Sequence, residues 1–84
     1  MYQTRENGTF GKREKELAKL VIDERLSLDQ ICAIRHRSRG HIGREISFGA
    51  YLLAKEDQRA KALSDLMWSK GIGPVKAIRR FLAI

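Results

Sequence analysis

Arg35-His36-Arg37-Ser38-Arg39-Gly40-His41-Ile42-Gly43-Arg44 is the stretch on which the reading of this 84-residue chain turns. It carries four arginines, two histidines and no acid. Ser38, in its middle, has the chemistry of a helix N-cap, a short hydroxyl able to accept from a free backbone N–H. An apolar repeat then leaves it through Ile42, Ile46, Ala50 and Leu53, the spacing of one buried helix face. The stretch therefore predicts a turn followed by a helix over residues 39–54, with its charges carried on a scaffold.

Upstream, Ser27-Leu28-Asp29-Gln30 fits a capping box, in which serine and glutamine each satisfy the other's backbone N–H. A short helix is expected from Leu28, with Leu28, Ile31 and Cys32 inward, ending near His36 because Ser38 restarts the chain. Before it, Leu17, Leu20 and Val21 share one face of a first helix beginning at Lys12, while Lys15, Glu16, Lys19 and Glu24 face outward. Residues 1–9 have polar and glycine punctuation without a period and read as a flexible arm, with Phe10 anchoring its end. Downstream, Lys55-Glu56-Asp57 is a polar break. Ala60, Leu63, Leu66 and Met67 predict a fourth helix stopping at Gly71, and Gly73-Pro74 opens a fifth with Val75, Ile78, Phe81 and Leu82 on one side. No period-two alternation runs for a strand's length. The expected fold class is all-α, a small domain of four helices over residues 10–72 plus a short C-terminal fifth helix over 73–84 that caps the core or dimerises.

Composition narrows the partner. Seventeen Lys and Arg against ten Asp and Glu give a formal net charge of +7, which implies a polyanionic partner, most simply nucleic acid. A chain of this length buries only roughly 60 to 65% of its unfolded surface, leaving no room for a deep catalytic cleft. No enzyme is expected. Cys32 is the only cysteine, so no intramolecular disulfide forms and a cytoplasmic, nucleoid-associated setting fits better than secretion. No apolar run approaches the roughly 20 residues of a membrane span, nor that of a signal peptide, so no membrane partner is expected. Aromatic content of 7% argues against a protein that works mainly by stacking single-stranded bases.

The run Phe10-Gly11-Lys12-Arg13-Glu14-Lys15-Glu16-Leu17, then Leu26-Ser27 ahead of Gln30-Ile31-Cys32, then Ser38 with Ile42 and Ile46, resembles the helix-turn-helix domain of LuxR-type (NarL and GerE-like) regulators. The resemblance covers about residues 10–72 and is similar to a stand-alone form of that domain. It implies a transcription regulator that binds double-stranded DNA as a homodimer, its third helix in the major groove, with no cofactor. By position it implies base contacts at Gly43, Arg44 and Ser47, and phosphate contacts around Ser38 to His41. Arg35 and Arg37 stand where the family places apolar residues.

Read from their own chemistry, the same residues keep alternatives open. An outward arginine at position 44 either pairs with guanine O6 and N7 or rests in solvent and intrahelical pairs. Gly43 either lets a DNA backbone approach or serves tight helix packing, and Ser47 is either a DNA contact or a solvated hydroxyl. Arg35, Arg37 and Arg39, clustered with Ser38 and His41 at a helix N-terminus, suit phosphates better than bases, the alternative being a solvated basic turn. Lys12 and Arg13 oppose their own helix dipole, which marks them as further phosphate candidates. Arg5 is either a minor-groove arm or part of a free tail. Cys32, His36 and His41 leave a zinc site one ligand short, so no metal is expected. Trp68 and the fifth helix's Val75, Ile78, Phe81 and Leu82 are candidates for a dimer or partner interface. A second functional class is a helical adaptor or inhibitor whose basic face binds an acidic regulator or a component of the transcription machinery.

Overall fold

The computed structural model describes residues 11–84, so the expected arm, Arg5 and Phe10 lie outside the described residues. Five helices follow in order: α1 Lys12–Ile22, α2 Leu28–Arg35, α3 Arg39–Leu53, α4 Gln58–Met67 and α5 Pro74–Leu82. The fold is all-α, with no strand among the described residues. None of these helices is long and apolar enough to cross a membrane.

The apolar stripes meet in one core. Leu17, Ala18, Val21 and Ile22 of α1, Leu28 and Ile31 of α2, and Ile42, Ile46 and Ala50 of α3 are buried together with Ala60 and Leu63 of α4 and Ile78 and Phe81 of α5. Helices this short are marginal alone, and burying a shared apolar face is what holds them. The fifth helix thus completes the core: Ile78 and Phe81 are 1% and 5% exposed, and Val75 and Leu82 of the same apolar stripe are half-buried. Of the two roles expected for α5, core capping is the one seen. Ile78 and Phe81 are not surface for a second copy.

At Gly49 the backbones of α1 and α3 come into direct contact. A Cβ built there would overlap the Glu14 carbonyl of α1. Gly43 does the same work on the opposite flank of α3, where a Cβ would stand 2.9 Å from Pro74 Cβ and 3.0 Å from its Cγ. Glycine within a helix costs up to about 1 kcal/mol relative to alanine, and the packing of a neighbouring helix against each offsets it.

Local chemistry sets the ends. Arg25 takes a left-handed conformation, φ 60°, which turns its guanidinium onto α5: Nη2 donates to the Leu82 carbonyl at 2.7 Å, and the group lies 5.7 Å from the Phe81 ring centre. A cation is well placed on the last carbonyls of a helix. α4 ends at Met67, earlier than the expected stop at Gly71, because the Ser69 hydroxyl takes the Asp65 carbonyl at 2.7 Å. Serine hydroxyls compete in this way with the helical ladder.

Asp57 caps α4, accepting from the Arg59 N–H at 2.8 Å, and the Arg59 side chain also reaches Asp23 at 3.0 Å. The Arg59 side-chain hydrogen bond, helped by backbone N–H donors and its charge, holds the Asp57 carboxyl below the usual carboxylate range. A depressed folded pKa contributes stability above the unfolded value of about 3.9 and loses it as pH falls through the folded value. Unfolding free energies measured between about pH 5 and pH 2 should therefore decline for the wild type and decline less for Asp57→Asn, while Asp57→Ala costs about 1 kcal/mol at neutral pH.

Candidate nucleic-acid interface

α2 and α3 are joined by a three-residue turn, residues 36–38, with a cap at each end. The Ser27 hydroxyl accepts from the Gln30 N–H at 3.2 Å, and Gln30 Oε1 accepts from the Ser27 N–H at 2.8 Å, so the capping box starts α2 as its sequence dictates. α2 ends where His36 turns left-handed, φ 57° and ψ 44°. The N–H groups of His36 and Arg37 both reach the Cys32 carbonyl, at 2.8 and 3.3 Å. Ser38 then caps α3, accepting from the His41 N–H at 3.3 Å, and its hydroxyl also pairs with His41 Nδ1 at 2.8 Å. A tight turn with a cap on either side thus separates α2 from α3.

The arginines of the turn divide into three roles. Arg37 folds back onto Glu45, Nη1 to Oε2 at 3.1 Å, and Arg13 of α1 lies 3.8 Å from the same carboxylate. Glu45 is the acid that follows the basic stretch, and its side chain is only 18% exposed. The arginine at a position expected to be apolar is thus accommodated by a charge bridge linking the turn, α3 and α1. Arg37 thus serves as a structural tie through Nη1, with its side chain still 35% exposed. Arg39 makes a second bridge, Nε to Asp29 Oδ1 at 2.7 Å, but both side chains remain mostly exposed. Exposed pairs of this kind are worth about 1 kcal/mol or less and exchange readily for a phosphate. Arg35 and Arg44 are exposed and, among the described residues, make no side-chain hydrogen bond or ion pair. Arg13, Arg35 and Arg37 border a shallow cleft of about 240 Å³ over Leu17 and Ile42.

On the outer side of α3, Arg44 and Tyr51 are exposed and Ser47 and Phe48 half-buried. The Ser47 hydroxyl donates to the Arg44 carbonyl at 2.9 Å, which spends its proton within the helix. Gly43 is buried against Pro74 and Leu28, so the base contact expected there is not available. Its packing reading is the one seen. Lys12 is exposed at the start of α1. Burial pushes the Cys32 thiol up, with the Asp29 carboxylate adding to this against the pull of Arg39. The group is accordingly protonated at neutral pH and a poor nucleophile.

Three further residues border this face. Glu45 and Asp29 are the acids that the arginines of the turn engage. Tyr51 stands seven residues from Arg44, close to two full turns, and so falls on its stripe. Trp68 is 63% exposed and donates its indole N–H to the Ser47 carbonyl at 3.3 Å, which seats it against the same face. Compared with protein-family models, curated proteins and solved structures, the chain matches none.

Proposed function

We propose that this is a double-stranded DNA-binding transcription regulator of LuxR-like helix-turn-helix type, acting by binding and not by catalysis. One observation carries the reading: a capped, three-residue turn leads into α3, whose outer side is open to solvent with the exposed Arg44 on it, and no partner among the described residues engages that guanidinium. An α-helix fits the major groove, and a free guanidinium there matches guanine O6 and N7 in bidentate fashion. The N-terminus of α3, with Arg35, Arg39, His41 and Ser38 around it, suits the adjoining phosphates through its free N–H groups and positive dipole. Arg13 borders the same cleft as Arg35 and Arg37, and Lys12 is exposed next to it at the start of α1.

Cytoplasmic, nucleoid-associated action as a homodimer on paired half-sites belongs to the same proposal.

Titration of a short duplex by fluorescence anisotropy across a salt series tests the reading. The logarithm of affinity should fall linearly with the logarithm of salt concentration, by about 0.9 per phosphate engaged. Arg35→Ala and Arg39→Ala should each flatten the slope by about one contact while leaving sequence preference unchanged. A chain that ignores duplex DNA at low salt, yet is retained by an acidic regulator protein after nuclease treatment, is an adaptor and not a DNA reader.

A further inference from the structure

A cleft of about 530 Å³ between the C-terminal half of α3 and the end of α4 adjoins the face assigned to DNA. It is lined by Phe48, Tyr51 and Trp68, with Ser64 and Asp65 from α4. Tyr51 and Trp68 are 54% and 63% exposed, their ring centres 6.3 Å apart and their planes tilted by 57°. Trp68 is held in place by its bond to the Ser47 carbonyl. Two large aromatic faces are therefore presented to water in a fixed arrangement. Tyr51 lies about 10 Å along α3 from Arg44, on the same stripe.

We propose that the Tyr51–Trp68 pair binds an unstacked nucleobase adjoining the duplex held by α3, so that the preferred ligand is a duplex with an unpaired nucleotide at its edge. The inference rests on the DNA reading of α3. Every base has a π-face, so an exposed ring pair accepts one without regard to sequence. The tilt of the rings excludes a base sandwiched between them and suits one stacked on the first ring and met by the edge of the second. Charge sorts the parts of the nucleotide. Asp65 borders the cleft, its side chain 67% exposed and its Oδ2 engaged by Lys61 at 3.2 Å, so this wall carries no net positive charge to hold a phosphate. Arg44 on the same stripe and the exposed Lys55 just beyond α3 attract one. The cleft thus takes the uncharged ring while the helix takes the backbone. A fully paired duplex keeps its bases inside the stack and offers these rings only its outer surface.

Trp68 is the only tryptophan, so its emission reports the cleft directly. The probes are a short blunt duplex and the same duplex carrying an unpaired adenine tail at both ends. The expected result is quenching of Trp68 by the tailed duplex alone, with the tailed form bound at least roughly fivefold more tightly by anisotropy. Tyr51→Ala and Trp68→Ala should each remove most of that gain, read as the ratio of tailed to blunt affinity within the same variant. Both side chains are exposed, and circular dichroism melts confirm that each variant folds. Equal binding of blunt and tailed duplex, or a tail-dependent gain that survives Trp68→Ala, overturns the inference and leaves the helix-turn-helix reading standing. Emission that shifts with protein concentration in the absence of DNA shows a second copy on the rings and also overturns it. Failure to bind either duplex removes the DNA reading itself, and the inference with it.

Discussion

Gly49→Ala should lower the melting temperature of this domain by about 12 to 24 °C, while Gly40→Ala, nine residues earlier on the same helix, should raise it by a few degrees. Both changes gain up to about 1 kcal/mol of helix propensity, so packing decides the sign. At Gly40 the nearest atom to a new methyl is the Ser38 hydroxyl oxygen at 3.9 Å, an ordinary contact. At Gly49 the methyl would run into the Glu14 carbonyl, main-chain atoms that no rotamer change can move aside. Relief requires α1 and α3 to part, and the buried side chains between them, Leu17, Ala18, Val21, Ile46 and Ala50, lose contact together. Overpacking typically costs about 1 to 3 kcal/mol. Against backbone, a net loss near the upper end is expected. For a domain of this size about 3 kcal/mol corresponds to the fall stated, at roughly 4 to 8 °C per kcal/mol. Thermal melts followed by circular dichroism measure both variants. A Gly49→Ala protein as stable as the wild type contradicts the close α1–α3 packing.

The second large effect concerns binding. Arg44→Ala should reduce discrimination between a preferred duplex and a scrambled one by about 5- to 150-fold, the equivalent of roughly 1 to 3 kcal/mol for a bidentate guanine contact. Stability should change by no more than about 0.5 kcal/mol, since the side chain is exposed and bonded to nothing among the described residues. Arg37→Ala should show the reverse. It removes a guanidinium from a mostly buried Glu45, so it destabilises the corner while discrimination at the Arg44 position persists. Competition binding with the two duplexes at one fixed salt concentration, beside denaturant titration, separates the two residues. Equal losses of discrimination in both variants would mean that neither reads bases.

What the sequence reveals here depends on how local the interaction is. The capping box at Ser27 and Gln30 and the N-cap at Ser38 are decided within four residues, and both stand where their spacing predicts. The core stripes are equally legible, because Ile42, Ile46 and Ala50 repeat at the helical period and have only one face to share. Gly43 and Gly49 are different. A glycine in a helix signals close approach without naming what approaches, and only the placement of Pro74 and Glu14 reveals that helices, and not DNA, take up the space. Arg37 is ambiguous for the same reason: its meaning is set by Glu45, eight residues away and on another element. The left-handed turn at His36 has no glycine or asparagine to announce it. At α5 the periodicity identifies an apolar face but not what covers it, and the packing of Ile78 and Phe81 beneath α3 and α4 answers that in favour of the core. Trp68 and Tyr51 meet across 17 residues of sequence, a juxtaposition that no local pattern contains.

The claim on which the rest depends is that the outer side of α3 reads base pairs. Selection of bound duplexes from a random pool, carried through several rounds and sequenced, tests it most directly. A DNA reader enriches a consensus containing guanine opposite Arg44, palindromic if two copies bind together, and Arg44→Ala enriches none at that position. Recovery of unselected sequence, with an affinity for duplex no different from that for an unrelated polyanion such as heparin, contradicts it.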